Sequence, residues 1–128
     1  MVMSEPTPIA WDKIAIANTD LNERLFESGV RLDYDEDGDT LFLTIGEGGP
    51  SISKEAFDDL FIRVDPTTYQ IVGCTIVAFA SDLLAKNKLI RKMFPGALEA
   101  LRAAGGTIQW HGRQAERTKP LFDAALVH

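Results

Sequence analysis

The feature that most constrains this chain is a change of hydrophobic period. Val30, Leu32 and Tyr34 alternate with Arg31, Asp33 and Asp35. After Glu36-Asp37-Gly38 the alternation resumes as Leu41, Leu43 and Ile45, with Thr40, Phe42 and Thr44 on the other face. A period of two matches the pleat of a strand, and two such runs about Asp-Gly form a strong hairpin signal. Leu60, Ile62 and Val64 alternate again as a third strand, and Asp65-Pro66-Thr67-Thr68 reads as a turn. Ile71 to Phe79 is apolar on both faces, which predicts a fourth, central strand covered front and back.

Helical spacing flanks this block. Trp11, Ile14, Asn18, Leu21 and Leu25 recur three and four residues apart, with Phe26 widening the stripe. They predict a helix over 10–28, stopped at Gly29, with Asn18-Thr19 allowing a break. Residues 1–9 read as a frayed start. Ser51 to Asp58 fits either an extended arm or a turn of helix. Beyond Ser81 the region 81–128 reads as mainly helical. Ile90, Phe94, Leu98 and Leu101 share a face, Asn87 marks a pause, and Pro95-Gly96 kinks or splits the helix. Thr107 to Trp110 suits a short strand, and Leu121 to Val127 suits a last docked helical turn. The expectation is one α+β domain over 1–128. It is a four-stranded antiparallel β-meander at 29–80 with the N-terminal helix and the C-terminal helices packed on it. Trp11, Phe26, Phe94 and Phe122 are expected in the core.

Charge is unevenly spread. Residues 1–82 carry 16 acidic and 5 basic side chains, and residues 83–128 carry 3 acidic and 8 basic. Lys86, Lys88, Arg91 and Lys92 form a candidate basic interaction face. No aromatic residue interleaves there and the chain is acidic overall, so a solvated or acid-paired face is expected rather than nucleic-acid binding. Cys74 is the single cysteine, so no intramolecular disulfide can form and nothing requires an oxidising compartment. Met1 to Ala10 lacks the pattern of a signal peptide, and the apolar run Ile71 to Ala80 is far shorter than the roughly 20 residues of a membrane helix. A cytoplasmic protein with no membrane partner is expected.

Asp33-Tyr34-Asp35-Glu36-Asp37-Gly38 matches the first six positions of a calcium loop, but the twelfth position is Thr44 instead of a bidentate glutamate. The flanks alternate like strands. A solvated hairpin turn is the expectation, with weak cation binding at Asp33, Asp35 and Asp37 as the alternative. His111 and His128 are not in ligand spacing with Cys74. Cys74, in a buried strand, reads as an apolar filler. Gly46 to Gly49 lacks the lysine and helix of a phosphate loop. No catalytic residue, metal ligand or cofactor is assigned.

The stretch Arg31 to Leu83 resembles domain-of-unknown-function family 2283, whose members are small prokaryotic β-domains. The residues that carry the likeness are Tyr34-Asp35, Gly38-Asp39, Leu41-Phe42-Leu43 with Ile45, Ile62-Arg63-Val64-Asp65, Ile71-Val72-Gly73 and Ile76. The resemblance implies a four-strand meander and no activity. Members are similar to small antitoxin-like partners. This chain departs at Val77-Ala78-Phe79-Ala80-Ser81, where the family often has an acidic residue. The expected role is a non-enzymatic protein–protein interaction module that binds a second copy of itself or another protein. A small-ligand or cation binder using the acidic hairpin is the alternative, and an enzyme of unrecognised type the last.

Overall fold

A computed structural model describes residues 10–57, 59–83, 86–94 and 96–126. The expected fraying of 1–9, Asp58 of the open stretch, the Pro95 kink, Val127 of the last helical turn and His128 lie outside the described residues.

The protein is α+β, with a six-stranded, wholly antiparallel sheet where four strands were expected. The strands are β1 (Val30–Asp35), β2 (Thr40–Ile45), β3 (Ile52–Phe57), β4 (Leu60–Val64), β5 (Ile71–Val77) and β6 (Thr107–Trp110). Their spatial order is β3-β4-β5-β2-β1-β6. The architecture is therefore a β1–β2 hairpin joined to a β3–β4–β5 meander through a β2–β5 pairing. Thr107–Trp110, expected as a short strand, joins the sheet as its β6 edge, and the stretch left open between an extended arm and a helical turn forms the other edge, β3. In β3, Ile52-Ser-Lys-Glu-Ala-Phe places Lys54 at an inward position, which spoils the alternation. Its ammonium lies 5.1 Å from the centre of the Trp11 ring. A charged inward residue on an edge strand blunts that edge against further pairing.

The helix expected over 10–28 is two helices, α1 (Trp11–Ala17) and α2 (Leu21–Ser28). Asn18 is the reason. Its side chain is buried and all four of its hydrogen-bonding positions are used. Nδ2 donates to Ile14 O at 2.6 Å and Tyr69 O at 3.0 Å, and Oδ1 accepts from Ile71 N at 2.7 Å and Arg24 Nη2 at 2.6 Å. The break between the helices is thereby tied to the β4–β5 turn. Gly29, at φ +77°, stops α2 and its N–H donates to Leu25 O.

After β5 the chain turns through Ala78 at φ +53° into a π-helical segment, Phe79–Leu83. Phe79 is therefore not the end of the fourth strand, yet it is fully buried. Then come α3 (Lys88–Met93), α4 (Ala97–Ala103), β6, α5 (Gly112–Glu116) and α6 (Lys119–Leu126). Asn87 caps α3 by accepting from Ile90 N at 3.1 Å.

The described α-helices pack on one face of the sheet. Leu32, Leu41, Leu43, Leu60, Ile62, Cys74 and Ile76 point inward and form one core with Ile14, Leu25, Ile90, Phe94, Leu101 and Phe122. Phe94 stacks on Trp110 at 5.8 Å and meets Phe79 edge-on at 5.8 Å. Phe26, expected in this core, is instead 49% exposed. It falls outside the buried arc of α2, where Leu21 and Leu25 face the core.

The expectation for the fourth strand needs correction too. β5 is central, flanked by β4 and β2. A bulge sits where Arg63 opposes Gly73 and Val64 opposes Ile71, leaving Val72 as the extra residue. The bulge turns Ile71 inward with Cys74 and Ile76, and all three are fully buried. On the other side Val77 is 37% exposed. The helices cover the front of β5, and among the described residues no helix covers its back.

Candidate functional site

The uncovered back of the sheet is the most distinctive surface of the molecule, and its residues follow directly from strand parity and register. One row runs across all six strands as Glu55, Phe61, Thr75, Phe42, Asp33 and Thr107. The next row is Ser53, Arg63, Gly73, Thr44, Arg31 and Gln109. Phe61 and Phe42 flank Thr75, two strands apart, and so roughly 10 Å from each other. Phe42 is 38% exposed. Acids stand outside the two rings, and arginines stand in the neighbouring row.

Arg63 lies flat across this face. Its Nη2 donates to Leu43 O at 2.7 Å and to Thr44 Oγ1 at 3.1 Å, reaching over β5 to β2. The path is open because position 73 has no side chain. A Cβ at Gly73 would stand 2.5 Å from Arg63 Nη2 and 2.1 Å from Leu43 O. Burial lowers the Arg63 pKa, with Arg31 adding to that and the Cys74 and Asp33 charges opposing it. Arg63 Nε is buried with no hydrogen-bond partner among the described residues. Beneath this region burial pushes the Cys74 thiol up to about 12, so the thiolate is disfavoured.

At the other side, Arg31 Nε meets Asp33 Oδ2 at 2.8 Å, and Thr107 Oγ1 donates to Asp33 Oδ1 at 2.7 Å. Burial raises the Asp33 carboxyl, but the Thr107 and Arg31 contacts outweigh it and hold it below its usual value.

Asp33 and Asp35 alternate on β1 and Asp37 lies in the turn. No group of three His, Cys, Asp or Glu residues placed to hold a metal ion occurs among the described residues. Asp39, in the same turn at φ +48°, has a structural part. It accepts from Tyr34 Oη at 2.6 Å, Ala80 N at 2.8 Å and Ser81 N at 3.0 Å, capping the start of the π-helical segment. Burial works against its charge, yet these bonds hold the Asp39 carboxyl down at about 2. Burial and the Asp39 hydrogen bond push Tyr34 up to about 12.

The basic residues 86–92 are not one helix face. Lys86 precedes the Asn87 cap and pairs with Asp82 at 2.8 Å. Lys88, Arg91 and Lys92 are on α3. Lys92 instead shares a depression with Arg117, which no sequence spacing links to it. Phe42 on the outer face was visible in the strand parity. The position of Arg63 over Gly73 was not, because it depends on the bulge.

Fold and face together define a two-layer α+β domain with helices on one side of an antiparallel sheet and an aromatic-bearing open surface on the other. No family model matches the chain, and no curated protein and no solved structure matches it significantly. No helix among the described residues is long and apolar enough to cross a membrane.

Proposed function

We propose that this chain is a non-enzymatic protein–protein interaction module whose open sheet face pairs with a second copy of itself. The observation that carries the reading is the row Glu55-Phe61-Thr75-Phe42-Asp33 beside the row holding Arg63 and Arg31. A two-fold interface needs a patch complementary to itself. Turning a second copy about an axis along the rows lays the acid-flanked aromatics of one against the arginine row of the other. The apolar centre then loses its water, while Glu55 and Asp33 meet Arg63 and Arg31.

The likeness of Arg31 to Leu83 to domain-of-unknown-function family 2283 belongs to the same proposal. So does an antitoxin-like or regulatory role, in which a small chain acts by occupying a partner's surface. A reducing compartment such as the cytoplasm suits the buried free thiol of Cys74.

The test is mass in solution. Light scattering at about 100 µM should return twice the 14.1 kDa of the chain, and Phe42→Asp should halve it with an unchanged far-ultraviolet spectrum. A wild-type monomer at that concentration ends the pairing.

A further inference from the structure

The helical side of the molecule carries a second surface that the sheet face does not explain. Between α3 and the corner joining α5 to α6 lies a depression of about 320 Å³, walled by Leu89, Lys92 and Met93 on one side and by Arg117 and Pro120 on the other. A broader one of about 550 Å³ adjoins it, reaching Arg113 and Asn22 and sharing Arg117 and Pro120. The two meet at Arg117 and Pro120, which line both, and are together called the cleft.

Its charge is not balanced from within. Lys119 is neutralised by Asp123 at 2.9 Å. Lys92, Arg113 and Arg117 make no ion pair among the described residues, and Glu116 is the remaining acid on the lining. Three cations without an ion pair among the described residues, on one surface, are unexpected in a chain of net charge −6. The floor beside them is aliphatic: Leu89 and Met93 are half-buried and Pro120 is exposed.

Cations around an apolar floor select the ligand class. A single-stranded nucleic acid would ask for aromatic rings to stack on, and none lines the cleft. Inorganic phosphate would leave the aliphatic floor unused. We propose that this cleft binds an acidic peptide segment of a partner protein. One apolar side chain of the segment seats on Leu89, Met93 and Pro120, and its carboxylates pair with Lys92, Arg113 and Arg117. Arg117 stands at the seam of the two depressions, where a planar guanidinium can take a carboxylate with two parallel bonds. Met93 can adapt to different apolar side chains. The cleft lies among the helices, on the opposite layer from the sheet face, so it stands apart from the pairing proposed above.

The experiment is fluorescence anisotropy of the full chain with four labelled probes. They are an acidic peptide containing leucine, the same peptide with serine for leucine, a basic peptide and a single-stranded oligonucleotide. The leucine-bearing acidic peptide should bind best, with the serine version at least about tenfold weaker. Arg113→Ala with Arg117→Ala should weaken it by at least about tenfold, and Met93→Ser should erase the preference for leucine over serine. Circular dichroism checks that each variant is folded. Absence of binding at about 1 mM, tighter binding of the oligonucleotide, or affinity indifferent to the arginine pair would each overturn the proposal.

Discussion

The guanidinium of Arg63 occupies the space that any side chain at Gly73 would need. The two residues face each other across β4 and β5, and Arg63 passes over the glycine to bond the Leu43 carbonyl. An arginine, a missing side chain and a bulge thus make a single device that ties three strands together.

Gly73→Ala should therefore cost about 2 kcal/mol, the scale of overpacking in a closed site. The nearer obstruction is the backbone oxygen of Leu43 at 2.1 Å, so adding Arg63→Ala should not restore the loss. Denaturant unfolding of the single and double variants measures this. Full rescue by Arg63→Ala would show that the backbone contact is unimportant.

Neighbouring residues of β2 should respond oppositely. Leu43 is fully buried, and Leu43→Ala should cost about 2–5 kcal/mol. Phe42 faces outward, and in the monomeric state Phe42→Asp should change stability by less than about 1 kcal/mol. Comparison of urea midpoints at low protein concentration separates the two.

Asn18 makes four hydrogen bonds in a buried position. Asn18→Ala strands Ile71 N and the carbonyl of Tyr69, and should cost about 3 kcal/mol. The loss should appear first as increased amide exchange at the β4–β5 turn, which the side chain holds against α1. Exchange confined to the N-terminal helices would contradict this account.

The Tyr34–Asp39 bond should leave a mark at both ends of the pH scale. Asp39 is depressed to about 2 in the folded chain, below its ordinary value of 3.8. Its stabilisation is present above pH 4 and is lost as pH falls from about 4 toward 2. Tyr34 is raised to about 12 from 10.0, so its contribution is present below pH 10 and is lost as pH rises through about 12. Asp39→Ala should cost about 1–2 kcal/mol at neutral pH through the lost cap and flatten the acid limb. Tyr34→Phe should flatten the alkaline limb. Unfolding free energies across pH 2 to 12 test both.

Much of the fold could be read from the residues, for physical reasons that differ by element. The β1–β2 hairpin and β4 declare themselves because each has one wet and one dry face, and the period of two survives. β3 hides because its inward Lys54 is held by the ring of Trp11, a contact distant in sequence. The break in the first helix was foreshadowed by Asn18, but its partners at Tyr69 and Ile71 are set by tertiary structure. Phe79 looked like the end of a strand because burial alone does not distinguish a strand from the turn after it. The outer face was legible to the extent that parity put Phe42 beside Thr40 and Thr44. The helical cleft was not, since Lys92 and Arg117 meet only through packing.

The sheet ends on both sides in strands ill suited to lateral growth. β3 carries Lys54 and Glu55, and β6 is only four residues long. A newcomer strand would find a charged margin at one border and a short one at the other. Filament formation by edge annexation is thereby discouraged, even though half the sheet's broad surface lies open to contact.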